Sequence, residues 1–455
     1  MSNKVKIFML ALLMLVVMMF IPDNIDNKFE MIPQHKIWIG EIGNEGFNEN
    51  KNFTSHLPLV IIKTDGNEIP GVNRQDKRKL LVDYSVINNK NKVNSTSDNA
   101  QQAGKALISV RGNSSRDFPK KQYIFKTIND GGELVKREIL DMPAHSTWVL
   151  NGSYIDYSQL RNYIIYSLSD EIMDYVPRCR LCEVLFEKEN GEKEYMGVYT
   201  LMEKPKVSKE RLKLEKYDPK QKKTSYLLQM NSPIEKLSID HLLVSGTLSV
   251  DYDLEYPSVM DITQESIEYI QNDIYTLEKS LYDAWVNNDW KDVENKIDIE
   301  SFVDYFIINE FFQNYDAGRR STYIYKNMDG KLKMGPIWDF DGAFDNFIDV
   351  NMPLSALTLK RQHYYYYLMQ DPYFVSRCVK RYKELRASTL SEENIINFIE
   401  ESSEYIESAA IRNSEKWYEG DTQLFYKDID KMKKYVVNRG RWMDENFEDL
   451  VEVIE

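Results

Sequence analysis

The stretch that most constrains this chain runs from Asn309 to Asn346, NEFFQNYDAGRRSTYIYKNMDGKLKMGPIWDFDGAFDN. The apolar run before it, Ser301 to Asn314, has helical periodicity and ends in a polar turn carrying Asp316. Ser321 to Lys326 is strand-like, Met328-Asp329-Gly330 supplies a turn, and Lys331 to Ile337 returns as the second strand of a hairpin. The return strand delivers Trp338-Asp339-Phe340-Asp341-Gly342. A hairpin lays its two ends side by side, so the two acidic loops become neighbours although they are distant in sequence. Such a pair suits phosphoryl transfer, where one carboxylate orients the attacking hydroxyl and the other holds a metal that neutralises phosphate charge. Taken singly, each of these aspartates also reads as a solvated turn residue.

The remaining composition narrows the class. A chain of 455 residues with 42% hydrophobic and 29% charged residues has the make-up of a soluble globular protein, as one large two-lobed domain or two ordinary ones. A net charge of -14 argues against nucleic acid as the main partner and favours neutral or basic proteins. The 30 tyrosines suit either sticky protein contacts or core packing. Three cysteines exclude a disulfide-dense scaffold. Cys179 and Cys182 form a C-x-x-C without a second pair or a nearby His, so they read as packing residues of a strand.

Residues 1–22 read as a targeting segment. Lys4 and Lys6 precede an apolar run, Ile7 to Ile21, closed by Pro22-Asp23. With no small-x-small cleavage site, an uncleaved signal anchor fits slightly better than a removed signal peptide. It would leave the N-terminus cytoplasmic and the body attached to the membrane on the far side. Residues 23–56 are polar and read as a tether, and Asn, Ser and Lys make 88–103 an exposed loop. Strands dominate 57–257 and helices 258–455, which sets the expected boundary between two lobes at Pro257. Within the first part, Arg111-Gly112-Asn113-Ser114-Ser115 leads through Phe118-Pro119-Lys120-Lys121 into a strand, Gln122 to Thr127. A turn of small residues leaves backbone N–H groups free to meet phosphate oxygens, with Arg and Lys as point charges. The alternative is a plain hairpin with a solvated basic rim. Asp156 to Met173 reads as a helix, with Arg161 and Asn162 as caps or solvated positions.

In combination, these motifs resemble the CotH family of spore-coat kinases. The resemblance rests on Arg111-Gly112-Asn113-Ser114-Ser115 with Phe118-Pro119-Lys120-Lys121, and on Trp148 with Asp156-x-Ser158-x-x-Arg161-Asn162. It rests further on Gly197-Val198-Tyr199 with Glu203, on Asn314-x-Asp316, and on Trp338-Asp339-Phe340-Asp341. Asp371-Pro372-x-Phe374 and Arg381-Tyr382 extend it, so that it covers about residues 57–450. It implies an α+β, two-lobed, atypical protein-kinase-like fold with a strand-rich N-terminal lobe and a mainly helical C-terminal lobe. It also implies transfer of phosphate from ATP, with Mg²⁺ or Mn²⁺, to Ser or Thr of protein substrates such as spore coat proteins. By the same carry-over Asp316 is the catalytic aspartate and Asp339 the metal ligand, with Asp341 beside the metal in a supporting role. Arg111, Ser114, Lys121 and Lys126 become the candidates for nucleotide contact. Two positions depart from the family pattern. Ser321 stands where many relatives have Asn, and Asp345 where they often have Gly. A non-catalytic surface, coat or adhesin-like protein on the same fold is the competing reading. A metal-dependent hydrolase is disfavoured because none of the five histidines, at 35, 56, 145, 241 and 363, falls in the central stretch.

Overall fold

The structure is a computed structural model that describes residues 31–42, 45–231, 237–239, 251–347 and 352–449. The expected signal anchor at 1–22 lies outside the described residues, as does a strand expected at Leu242 to Ser245. Among the described residues no helix is long and apolar enough to cross a membrane.

Seven strands form a closed barrel: β1 (Leu59–Lys63), β2 (Leu80–Ile87), β3 (Gln102–Arg111), β4 (Gln122–Ile128), β5 (Thr147–Asn151), β6 (Cys179–Glu187) and β7 (Lys193–Glu203). They close in the order β1-β2-β3-β4-β5-β7-β6, and β6 returns to β1 as a parallel pair. Strand alternation explains the barrel's filling. Tyr123 and Phe125 of β4 point inward with Val60, Tyr84, Val86, Leu150 and Leu201, leaving a void of only about 10 Å³. The barrel interior is therefore a packed core. Its outward positions carry the polar residues. Arg111 of β3 lies opposite Gln122 of β4, and the pairing of Tyr123 with Leu150 sets Asn151 next to Gln122. Cys179 and Cys182 are both buried in β6, and burial pushes each thiol up to about 12, as expected of packing residues.

A second sheet joins β8 (Tyr226–Asn231), β9 (Ser238–Ile239), β10 (Asp251–Tyr256), β11 (Thr322–Lys326) and β12 (Leu332–Met334) in the order β9-β10-β8-β11-β12. The expected hairpin is β11–β12, and Leu227 of β8 pairs with Tyr325. This sheet runs across residue 257, so the strands just before it belong with the hairpin and not with the barrel. The composition shift there marks where helices begin, whereas strand pairing follows the apolar run Tyr226-Leu227-Leu228.

Six longer helices complete the described fold: α1 (Arg161–Asp170), α2 (Gln264–Asn287), α3 (Ile299–Phe311), α4 (Pro372–Arg386), α5 (Glu392–Trp417) and α6 (Gln423–Asn446). Side-chain caps start several of them. Thr263 accepts from the Ser266 N–H, Asp298 from Ser301, Asp371 from Tyr373 and Ser391 from Asn394. α3 is buried on nearly every side, from Phe302 and Val303 through Tyr305 to Phe311, so it forms the centre of the helical region.

Two polar stretches pack more closely than their composition suggests. In the segment read as a tether, the Gln34 amide donates to the Leu181 carbonyl at 3.1 Å and accepts from the Leu181 N–H at 2.6 Å. His56 is buried between the Glu45 carboxylate (2.7 Å) and the Tyr405 carbonyl (2.5 Å). In the loop 88–103, Asn94 is buried and donates to the Leu57 carbonyl at 2.9 Å. Amide side chains imitate the peptide group, so a polar segment docks without apolar periodicity.

Candidate active site

The end of α3 is shaped by two asparagines. Asn309 donates to the Tyr305 carbonyl at 2.8 Å, and Asn314 donates to the Asn309 side chain at 3.1 Å and, from its backbone, to the Asn309 carbonyl at 2.9 Å. Gln313 turns the chain with a φ of 50°. The next turn is closed by the Asp316 carbonyl, which accepts from the N–H groups of Arg319 (3.0 Å) and Arg320 (2.8 Å). Gly318, at φ 75°, fits there because a Cβ would come within 2.7 Å of Leu359. Burial, and after it the Asp339 charge, push the Asp316 carboxyl up to about 6, while Arg320 and Arg319 pull it down.

The hairpin brings Asp339 to the same place. Its φ of 65° lies in the left-handed region, which Asp tolerates better than most residues and which often marks a functional site. Its N–H donates to the Tyr166 hydroxyl at 3.1 Å, and its Oδ2 accepts from Ser321 at 3.0 Å. Ser321 thus ties the loop of Asp316 to Asp339. Beside it, the Arg111 guanidinium lies 5.5 Å from the Trp338 ring and donates to Gln122 at 2.6 Å.

Asp341 has a different environment. It is buried, and four side chains donate to its carboxylate: Ser153 (3.1 Å), Asn151 (3.3 Å), Gln122 (3.4 Å) and Asn162. Three of these donors converge on Oδ1, and Gln122 alone reaches Oδ2. Burial and the charges of Asp339 and Asp156 push this carboxyl up to about 7, against the pull of the Ser153 and Asn151 hydrogen bonds. In this arrangement Asp341 Oδ1 ties the loop to the barrel, and Oδ2 is the less engaged oxygen.

Helix α1 holds the rest of the loop. Asn162 accepts the Phe340 N–H at 2.9 Å while donating to Asp341. Arg161 donates to the Ala343 carbonyl at 2.9 Å and pairs with Asp156 and Asp428, both at 2.5 Å. The Phe344 N–H reaches the Phe312 carbonyl at 3.0 Å, at the end of α3. Asp345 adopts a φ of 58°, a left-handed backbone that glycine accommodates most easily. Arg161 and Asn162, expected as caps or solvated residues, are therefore buried anchors of the acidic loop. One signal for this was available, because Arg161 opens an apolar helix with no acidic residue three or four positions away. Such an arginine must find its partners at long range.

The expected nucleotide contacts divide. Arg111 stands beside Trp338 and Asp339. Ser114 is exposed in a single turn of 3-10 helix, Ser114–Arg116. Lys121 donates to the Arg116 carbonyl at 2.7 Å, and Arg116 grips the carbonyls of Gly112 (2.7 Å), Val110 (3.1 Å) and Gly71. These bases spend their donors on the turn itself. Lys120 is wholly buried, bonded to Gln159 (2.7 Å), Asn413 (2.8 Å) and the Val198 carbonyl (2.5 Å). Lys126, on the outer face of β4, is half-buried. Burial first, then Lys79 and Lys206, lower its pKa, while Glu255 opposes them. Glu255 itself pairs with Lys206 at 2.8 Å and Lys204 at 3.1 Å. Burial first, then the Glu255 charge, raise the Tyr323 hydroxyl, with Arg111 opposing and Asp339 adding.

Among the described residues no three His, Cys, Asp or Glu side chains converge into a metal-holding group. A magnesium site that shares phosphate oxygens and water needs only one or two carboxylates. Asp339 fits that requirement, with one oxygen held by Ser321 and Asp316 as its acidic neighbour.

Residues 108–443 match the family model described as CotH kinase protein. A comparison with curated proteins finds no match. The matched span takes in both acidic loops, the Gly/Ser turn, α1 and Asp428. By a match over most of its length, the chain belongs to the CotH family.

Proposed function

We propose that the protein is a kinase that moves the γ-phosphoryl group of ATP to Ser or Thr hydroxyls of protein substrates, with spore coat proteins as the substrate class. The observation that carries this reading is the Asp316–Asp339 pair. Two carboxylates from separate loops lie within electrostatic reach of each other, with Ser321 bonded to Asp339 and the Asp316 carboxyl raised to about 6. A base with that value is ionised at neutral pH and still accepts a proton readily. In the proposed step the substrate oxygen bonds to the γ-phosphorus as the bond to the bridging oxygen breaks. ADP leaves with the electron pair, and the hydroxyl proton passes to Asp316. A Mg²⁺ or Mn²⁺ ion at Asp339 would neutralise phosphate charge when bound. Asp341, Asn162 and Arg161 hold Asp339 in place, and Arg111 flanks it from the barrel.

A purely structural coat or surface protein has no use for a like-charged carboxylate pair kept short of partners, which favours the enzyme. The body is proposed to act outside the cytoplasmic membrane or on the spore, as the Lys-flanked N-terminal run suggests. The test is incorporation of label from γ-labelled ATP with Mg²⁺ or Mn²⁺, into the protein itself or a Ser-rich acceptor. Incorporation by the wild type but not by Asp339→Asn supports the reading. No incorporation with either metal contradicts it.

A further inference from the structure

We infer that Arg320 is a further catalytic residue of this site, its guanidinium contacting the transferred phosphoryl group and stabilising the charge on its oxygens. The inference rests on the kinase reading above. Two arginines follow Asp316, and both are fixed at the backbone by its carbonyl. Their side chains then differ. The Arg319 guanidinium stacks on Tyr315 at 3.7 Å and donates to the Tyr315 carbonyl. Arg320 is exposed, and its side chain has no hydrogen bond or ion pair among the described residues. Its charge nevertheless acts on the Asp316 carboxyl more strongly than that of Arg319. The residue after it, Ser321, holds Asp339. Arg320 thus stands in the chain between the proposed base and the group that ties down the proposed metal ligand.

Charge makes the role necessary. Two carboxylates facing a phosphate repel it, and a loose transition state spreads negative charge over three oxygens. Of the other cations, Arg111 donates to Gln122 and lies over Trp338, Lys121 donates to the Arg116 carbonyl, Lys120 is buried in the core, and Lys126 is half-buried on β4. A planar guanidinium with uncommitted donors matches phosphate oxygens and is less strongly hydrated than an ammonium. No bond to Arg320 forms or breaks, since it acts by electrostatics alone.

The experiment compares the full-length wild type, Arg320→Ala and Arg320→Lys for phosphate transfer, with Mg-ATP affinity by calorimetry and thermal stability measured on the same preparations. Arg320→Ala should lose kcat on the order of 10²–10³-fold. Its Mg-ATP affinity and melting temperature should stay at the wild-type level, and Arg320→Lys should recover part of the rate. An active wild type with an equally active Arg320→Ala overturns this inference and leaves the kinase reading standing. A variant that loses rate together with affinity or melting temperature overturns it as well, because Arg320 would then bind the ground state or support the fold. A wild type that transfers nothing removes the kinase reading and this inference together.

Discussion

Two groups of acidic side chains flank the loop from Asp339 to Asn346, and the fold treats them in opposite ways. Asp156 and Asp428 share Arg161, which reaches Asp156 at 2.5 Å and Asp428 at 2.5 and 2.7 Å. Ser158 adds donors to both, through its N–H at 3.1 and 2.9 Å. Asp316 and Asp339 instead repel each other across the two loops, with one serine hydroxyl on Asp339 and no ion pair within the described residues. The first group answers each buried charge with donors and so fixes the chain. The second is a like-charged pair that the surrounding structure holds together against its own repulsion. Residue type is the same in the two groups, but Asp156 and Asp428 are buried whereas Asp316 and Asp339 are half-buried. The number of donors separates scaffold from chemistry.

The largest effect should come from breaking the satisfied group. Arg161→Met leaves two buried carboxylates uncompensated and frees the Ala343 carbonyl, and should cost about 3–5 kcal/mol in denaturant unfolding. A loss below 1 kcal/mol, the usual worth of an exposed pair, would mean that solvent reaches the triad. Asp341 comes next. Asp341→Ala leaves Ser153, Asn151, Gln122 and Asn162 without their acceptor, at a cost of roughly 1–3 kcal/mol. Phosphate transfer should fall with it, because the same loop sets Asp339. Full transfer in a destabilised Asp341→Ala would separate the two roles.

The unsatisfied group should respond with the opposite sign. The Asp316 carboxyl is raised to about 6 in the folded chain, above the usual carboxylate value of about 3.9 in an unfolded one. The folded state therefore binds this proton more tightly, and the ionised group lowers stability as pH rises from about 4 to about 6. Asp316→Asn should be more stable than the wild type at pH 7, by on the order of 1–3 kcal/mol, and equally stable below about pH 4. Melting curves against pH test this, and a destabilised Asp316→Asn at pH 7 would remove the account of a strained acid. In the same window wild-type transfer should decline as pH falls through about 6, as the base takes up its proton. A rate flat from pH 5 to 8 would speak against Asp316 as the base.

What the sequence disclosed follows from range. Helix, acidic loop, hairpin and second acidic loop are local patterns, and Asp316, Asp339 and the β11–β12 hairpin stand where periodicity and turn residues put them. Long-range partners left weaker traces. Nothing near Asp341 in the chain announces Asn151, Ser153 or Gln122, since barrel register brings them together. Arg161 and Asn162 looked like solvated positions because their partners lie at 156, 341, 343 and 428, across three elements. That one Lys121 donor reaches a backbone carbonyl of its own turn was equally hidden, because a charge run does not name its acceptors. The strands before Pro257 read with the strand-rich first lobe because strand periodicity carries no information about which sheet a strand joins.

The central claim is that the two acids do different work, and Mg-ATP affinity measured beside phosphate transfer tests it most directly. Asp316→Asn should bind Mg-ATP as the wild type does and transfer phosphate roughly 10²–10⁴-fold more slowly. Asp339→Asn should lose metal-dependent nucleotide affinity and transfer together. Undiminished transfer by Asp316→Asn, or full Mg-ATP affinity in Asp339→Asn, would contradict the claim.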